Sequence, residues 1–117
     1  MNKEMRIIIR NEIFSFFLNK NIIIITKLKD GSESLRYYIR KDINRILNEK
    51  ENEYFLNLYK QYLAEFRTED EELYCIIHKD DISNHICPIC KKNFCIFNIE
   101  ANRYRKTCST NCSQNDI

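Results

Sequence analysis

Glycine and proline are almost absent from this sequence, which has one residue of each among 117. Loop-rich β-proteins and disordered chains depend on these two residues, so neither class fits the composition. Long apolar stretches are missing too: the early run at positions 22–25 is far shorter than the roughly 20 residues that a membrane-spanning helix needs. No signal peptide is recognisable. These absences predict an intracellular, cytoplasmic protein that does not associate with a membrane.

What the sequence does contain suits one small domain, or a small domain with an appended module. Apolar residues make up 44% of the chain, and seven tyrosines and seven phenylalanines can build a modest core. Charged residues make up 31%, but the formal net charge of +2 identifies no class of partner. Six cysteines in a reducing compartment indicate a metal site more readily than disulfides, which remain the alternative.

Four of those cysteines form two closely spaced pairs, Cys87 with Cys90 and Cys108 with Cys112. A C-x-x-C pair can present two thiolates from one tight turn. A second pair then completes the tetrahedral set that structural Zn²⁺ prefers. The intervening residues 91–107 are enough for a β-hairpin and a return. The spacing therefore predicts one Zn²⁺ held by these four thiolates, with no coordination position open for catalysis.

Two other residues are weaker candidates for the same site, and the sixth cysteine lies outside it. Cys95 lies midway between the pairs. We expect it to pack beside the site, and replacement of one of the four ligands is the alternative. His85 can also bind zinc, but a complete set of four thiolates makes it a flanking residue. Cys75 lies among apolar residues and is interpreted as a buried structural thiol.

The sequence pattern of the N-terminal part predicts a helix followed by a strand. Apolar residues recur at helical spacing at Ile9, Ile13, Phe16 and Phe17, which indicates an amphipathic helix over residues 3–18. The β-branched run 22–26 favours a strand, with a helix as the alternative. A turn follows at 29–32, where the only glycine lies.

Further helices are predicted after this turn. Helical spacing from Leu35 to Leu47, capped by Ser32 or Ser34, indicates one helix, and the apolar stripe over 55–66 indicates another. A helical hairpin bent near Asn52 is preferred to one long helix, because two short helices can bury their stripes against each other.

The next segment begins with a helix-capping pattern. Thr68 and Glu71 have the spacing of a capping box, in which Thr68 caps a short helix and Glu71 reaches back to the Thr68 amide. Residues 80–84 are interpreted as a polar linker. Together these patterns predict an α+β fold with a mostly helical region over 1–84 and a small zinc-binding module over 85–117.

From Cys87 onward the chain resembles the treble-clef type of zinc finger. The knuckle at 87–90, the first hairpin strand at 94–99 and the return at 104–112 match that family's order. The resemblance implies a hairpin followed by a helix that carries the second pair. Lys91 departs from the family, which usually has Gly after the knuckle; a positive φ at Lys91 would have an energetic cost, although residues other than Gly do occur there.

More narrowly, the run from Cys87 to Asp116 resembles a zinc module found in proteins of bacteriophages and other mobile elements, and Thr107 to Ser113 matches that module closely. Such modules often accompany homing-endonuclease-like or other DNA-processing regions. The resemblance covers about the last quarter of the chain and implies a DNA-related role by association.

Charge in the C-terminal module is compatible with that role. Five cations follow Cys87, against the two acids Glu100 and Asp116; the cations are Lys91, Lys92, Arg103, Arg105 and Lys106. They can contact nucleic-acid phosphates, or they can offset the negative charge of a metal–thiolate site. Aromatic residues at Tyr54, Tyr59 and Tyr62 could stack on bases, but positions in a helical core are the simpler interpretation.

The sequence therefore predicts a structural zinc-binding protein that serves as a nucleic-acid-binding accessory module of a phage-type or mobile-element DNA-processing system. Its partner is DNA or RNA contacted through phosphates. The alternative is a protein-interaction or purely structural zinc domain. We expect no enzyme activity. Both histidines precede Cys87, whereas His-Asn-His nucleases place a catalytic histidine inside the hairpin, and no other catalytic motif is present.

Overall fold

The computed structural model describes residues 1–109, which contain four helices and two small antiparallel hairpins. The helices are α1 (Lys3–Asn19), α2 (Arg40–Leu47), α3 (Glu53–Leu63) and α4 (Glu69–Ile77). One hairpin pairs β1 (Ile23–Lys27) with β2 (Glu33–Tyr37), and the other pairs β3 (Phe97–Asn98) with β4 (Arg103–Tyr104). This arrangement confirms the predicted α+β class. Within this part of the chain no helix is both long and apolar enough to cross a bilayer.

Helix α1 forms as its apolar spacing predicts and supplies much of the core. Its side-chain cap is Asn2, whose Oδ1 accepts a hydrogen bond from the Met5 N–H at 2.8 Å. The predicted stripe is buried, and Ile13 and Phe17 have no exposed surface. Phe16 stacks on Phe55 of α3, with ring centroids 4.2 Å apart. The core therefore lies where α1 crosses the later helices.

The predicted helix from Ser32 or Ser34 is wrong in its first half. Residues 33–37 form β2, in which Leu35 pairs with Ile25 of β1. Gly31 has a φ of +88° in the connecting turn, a conformation that L side chains rarely adopt. The isoleucine-rich β1 needs a pairing partner for its backbone, and that pairing overrides the helical spacing. Helix α2 begins only after Ile39.

The predicted break near Asn52 is confirmed, because α2 and α3 are separate helices joined by a short 3-10 turn at Lys50–Asn52. Asn52 is buried, and its Nδ2 donates to the Ile46 carbonyl at 2.8 Å, which fixes the connection. Tyr59 and Tyr62 are buried in the core. Their rings are therefore unavailable for base stacking, and only Tyr54 of the three candidates is exposed.

Helix α4 begins at the predicted cap, where Thr68 Oγ1 accepts from the Glu71 N–H at 3.2 Å. The second half of the predicted capping box is wrong. The Glu71 carboxylate accepts from the Arg67 N–H at 3.0 Å rather than from the Thr68 amide. It also accepts from the Arg67 guanidinium. This charged partner outcompetes the neighbouring amide.

Residues 80–84 do more than link α4 to the cysteine region. Asp81 is buried, and its carboxylate accepts two hydrogen bonds from the Arg6 guanidinium at 2.9 and 3.1 Å. Burial would raise the pKa of Asp81, but the bonds from Arg6 and Ser83 hold it at about 2. The interpretation as a simple polar linker is therefore wrong, since this segment fastens the end of α4 to α1.

Candidate metal centre

Three thiols come together beside the C-terminal hairpin. The sulfur atoms of Cys87, Cys90 and Cys108 all lie within 4.8 Å of one another, and those of Cys90 and Cys108 are 3.5 Å apart. In a tetrahedral site with Zn–S bonds of about 2.3 Å, neighbouring sulfurs lie about 3.8 Å apart. The observed spacing fits thiolates around one ion, whereas a disulfide would need about 2.05 Å.

The knuckle is shaped by backbone hydrogen bonds across the first pair. Cys87 donates its N–H to the Asn93 carbonyl at 2.8 Å, and Lys91 donates its N–H to the Cys87 carbonyl at 2.9 Å. Lys91 has a φ of +56°, so this residue adopts the conformation in which Gly is usual. These bonds place both sulfurs of the pair on the inside of one turn.

The return strand brings the third sulfur to the knuckle. Phe97 pairs with Tyr104 in the β3–β4 hairpin. Ile96 then continues the pairing beyond the strands: its carbonyl accepts from the Arg105 N–H at 2.7 Å, and its N–H donates to the Thr107 carbonyl at 3.1 Å. This register carries Cys108 to a position opposite the first pair.

Backbone amides favour the thiolate form in the knuckle. Burial opposes ionisation of Cys87, but hydrogen bonds from the backbone around Cys90, Cys108 and Ile89 outweigh it and lower its pKa to about 6. The backbone around Lys92 and Asn93 lowers the pKa of Cys90. Thiolates are the form that binds metal, so the site is prepared for a cation.

The other candidates lie outside this group. Cys95 is buried beside it, and burial together with the charges of Cys87 and Cys108 raises the pKa of its thiol. The His85 ring stacks on Tyr104 with centroids 3.6 Å apart. Its Nε2 lies 2.6 Å from a carboxylate oxygen of Asp80.

The fourth predicted ligand, Cys112, lies outside the described residues, as does the helix expected to carry it. The complete set of four ligands therefore stays a prediction, and the described chain supports a possible three-cysteine metal site. The boundary between residues 84 and 85 likewise stays a prediction.

Contacts with α4 and with Arg67, the residue before the Thr68 cap, hold the C-terminal hairpin in place. The sequence did not predict these contacts. The Tyr104 hydroxyl lies 3.6 Å from the sulfur of buried Cys75, and the Tyr104 ring meets Tyr74 edge-on. Arg67 donates to the Cys95 carbonyl at 2.7 Å while it also holds Glu71. Residues 28 or 29 positions apart leave no periodic signal, so only a folded structure reveals these pairs.

The predicted phosphate-binding cations fall into two groups. Arg103, Arg105 and Lys106 are exposed and line one groove of about 500 Å³, together with polar side chains such as Asn98 and Thr107. Lys91 and Lys92 are exposed on the knuckle and do not line that groove. Within residues 1–109, none of the five cations lies within 4.0 Å of a carboxylate oxygen.

No family model, curated protein or solved structure matches this chain. The treble-clef resemblance therefore remains a prediction, and the geometry of the cysteine cluster and the groove carries the functional argument.

Proposed function

We propose that this chain is a structural zinc-binding protein whose C-terminal hairpin contacts nucleic-acid phosphates. The observation that carries the proposal is the placement of three exposed cations, Arg103, Arg105 and Lys106, along one groove, which is also lined by the two residues that flank Cys108 in the sequence. Clustered cations that lack carboxylate partners are typical of a surface that binds phosphate.

The ion's role in this proposal is to fold the module. Soft thiolate ligands select zinc over harder divalent cations, and small modules often fold only when it is bound. Cys87, Cys90 and Cys108 would hold the ion, with Cys112 as the fourth ligand. Four thiolates leave no open coordination position, so we assign the ion no catalytic step.

The groove's chemistry favours contact with the nucleic-acid backbone rather than with base edges. Guanidinium and ammonium groups bind phosphate oxygens irrespective of sequence. The proposed role is therefore sequence-tolerant binding that weakens as salt concentration rises. The same cations could instead offset the charge of the metal–thiolate site, in which case removing them would weaken metal binding rather than nucleic-acid binding.

Fluorescence anisotropy with labelled nucleic acid, measured across salt concentrations, tests the proposal. The triple change Arg103→Ala, Arg105→Ala and Lys106→Ala should weaken binding and lower the salt slope by about 1 for each phosphate that the variant no longer binds. Zinc content should not change. A matched control replaces the exposed lysines 20, 50 and 60 by Ala, which removes equal charge from the helical part.

Absence of parent binding at about 50 mM salt would contradict the nucleic-acid role. That result would favour the protein-interaction or purely structural alternative. Loss of zinc in the triple variant, with binding otherwise retained, would show that the cations serve the metal site instead.

A further inference from the structure

Two adjacent tyrosines are exposed where β2 leads into α2. Tyr37 has 43% of its surface exposed and Tyr38 has 41%, although both rings are large enough to contribute to a core. Sequence spacing places them inside a helix, but the structure puts Tyr37 at the end of β2 and Tyr38 directly after it. Both border a small cavity of about 170 Å³ beside α2 and α4.

One of these rings contacts the hairpin that carries the cationic groove. The Tyr37 hydroxyl lies 3.4 Å from Nδ2 of Asn102, which donates to it from the β3–β4 turn. Asn102 is followed directly by Arg103, one of the cations that line the groove. This hydrogen bond joins the end of β2 to the β3–β4 turn, one residue before a cation of the groove.

Charges of both signs lie near the tyrosines, with the cations Arg36, Arg40 and Lys41 and the acids Asp42, Glu69 and Asp70. Arg36 and Lys41 are exposed on either side of the pair, and neither forms an ion pair in the described part of the chain. Arg40 is neutralised, because it lies 3.5 Å from Glu69 and 3.2 Å from Asp70. The segment from Arg36 to Lys41 thus combines two exposed rings with two cations that form no ion pair within residues 1–109, the composition of a platform for unpaired bases.

Resting on the function proposed above, we infer that the preferred ligand is single-stranded nucleic acid. Its phosphates lie along Arg103, Arg105 and Lys106, and its bases stack on Tyr37 and Tyr38. Bases inside a duplex already stack on their neighbours, so only an unpaired strand can offer its faces to protein rings. The inference distinguishes single strands from duplexes and predicts no strong sequence preference.

A matched tyrosine elsewhere provides an internal control. Tyr54 on α3 is 60% exposed, and its hydroxyl lies 3.5 Å from the Glu12 carboxylate. An acidic neighbour is unfavourable for nucleic acid, so this ring should not contribute. Replacing Tyr54 by Leu tests whether removal of any exposed ring changes binding.

The experiment compares a labelled oligothymidylate of about 15 nucleotides with a labelled duplex of equal length, at constant salt. The parent should bind the single strand more tightly. Tyr37→Leu with Tyr38→Leu keeps apolar bulk against the small cavity, and it should weaken single-strand binding by roughly five-fold or more for each ring. The Tyr37→Phe, Tyr38→Phe variant should bind as the parent does, because it keeps both stacking faces.

Zinc content and helical circular dichroism should be equal in all these variants. Equal binding of both probes, with no effect of the Leu changes, would overturn the inference while the salt dependence of the groove variant still tests the proposed function. Absence of binding to either probe would overturn both. Equal losses in the Leu and Phe variants would assign the tyrosines a structural role through their hydroxyls and would also overturn the inference.

Discussion

The helical body, residues 1–84, and the C-terminal hairpin region, residues 85–109, are stabilised in different ways. In the body, side chains such as Ile13, Phe17 and Tyr62 have no exposed surface, so burial of apolar groups drives folding. In residues 85–109 the buried residues are Cys87, Cys95 and Thr107, and large apolar residues such as Phe94 remain 41% exposed. Strands of two residues cannot stabilise such a hairpin. The cluster of Cys87, Cys90 and Cys108 is therefore the candidate source of stability for this region, which lacks an apolar core among its described residues.

The two regions are nevertheless joined. Arg67 links α4 to the Cys95 carbonyl, and Tyr104 reaches from the hairpin to the sulfur of Cys75. Loss of the metal should therefore release this junction without unfolding the helices.

The largest effect should follow from removing a metal ligand. Cys87→Ser should abolish stoichiometric zinc binding and unfold the hairpin, because zinc binding in such modules contributes about 10 kcal/mol or more to folding. The helical body should keep its fold. Elemental analysis together with amide hydrogen exchange would measure both. Cys95→Ser is the control and should retain zinc; loss of zinc there, with retention in Cys87→Ser, would reverse the ligand assignment.

Removal of a buried ring from the helical body should lower the free energy of unfolding more than removal of an exposed ring from the hairpin region. Phe17→Ala removes a fully buried ring and should lower the free energy of unfolding by about 3–5 kcal/mol. Phe94→Ala, on the exposed side of the hairpin, should change it by about 0.5 kcal/mol or less. Urea denaturation followed by circular dichroism measures both. Similar costs for the two changes would contradict the division into a core-stabilised body and a metal-stabilised hairpin.

The junction should respond to loss of Glu71. This fully buried carboxylate accepts from Arg67, so Glu71→Met should cost about 2 kcal/mol through the lost charged hydrogen bonds. Arg67 would then be less firmly held against the Cys95 carbonyl. Alkylation of buried Cys75 by a thiol reagent should become faster, since Tyr104 covers it less well. An unchanged alkylation rate would show that the junction does not depend on this pair.

Replacement of Glu72 should have a smaller effect, and it should raise the free energy of unfolding rather than lower it. Glu72 is fully buried, and neither carboxylate oxygen has a hydrogen-bond partner in the described part of the chain. Burial, which the nearby Tyr59 hydroxyl only partly offsets, raises the pKa of Glu72 to about 9. Glu72→Met removes this unpartnered acid and should stabilise the body by about 1 kcal/mol at about pH 8.

Glu72 also makes the stability of the unsubstituted protein depend on pH. The folded-state pKa of Glu72 lies above its unfolded value, so the folded state holds the extra proton between about pH 5 and 9. Its contribution to stability is complete below that range and is lost as pH rises through it. Tyr59 and Tyr62 should not titrate there, because burial raises the pKa of both. Urea midpoints should fall less steeply with pH in Glu72→Met; an equal slope would contradict the assignment.

Features set by local chemistry could be predicted from the sequence. The apolar stripe of α1 and the Thr68 cap each depend on a few neighbouring residues, and both are confirmed. Strand β2 was not predictable, because Leu35 continues a helical spacing and only its pairing with Ile25 reveals the strand.

Contacts between residues that are distant in the sequence could not be predicted either. Arg6 binds Asp81 across 75 positions, and Arg67 meets Cys95 across 28. Such partners lie on separate elements, and no local pattern relates them. In the candidate metal centre, the spacing of the cysteines correctly predicted that Cys90 and Cys108 lie close together. The contact between Tyr37 and Asn102 could not be predicted, because it depends on the β1–β2 hairpin.

Metal content tests the central claim most directly. Chain purified under reducing, zinc-replete conditions should contain a single zinc ion, and its Co²⁺-substituted form should show strong thiolate-to-cobalt charge-transfer absorption. Both results would follow from Cys87, Cys90 and Cys108 acting as ligands. Absence of bound metal, or a coordination shell dominated by nitrogen, would contradict the assignment of this cysteine cluster as a zinc site.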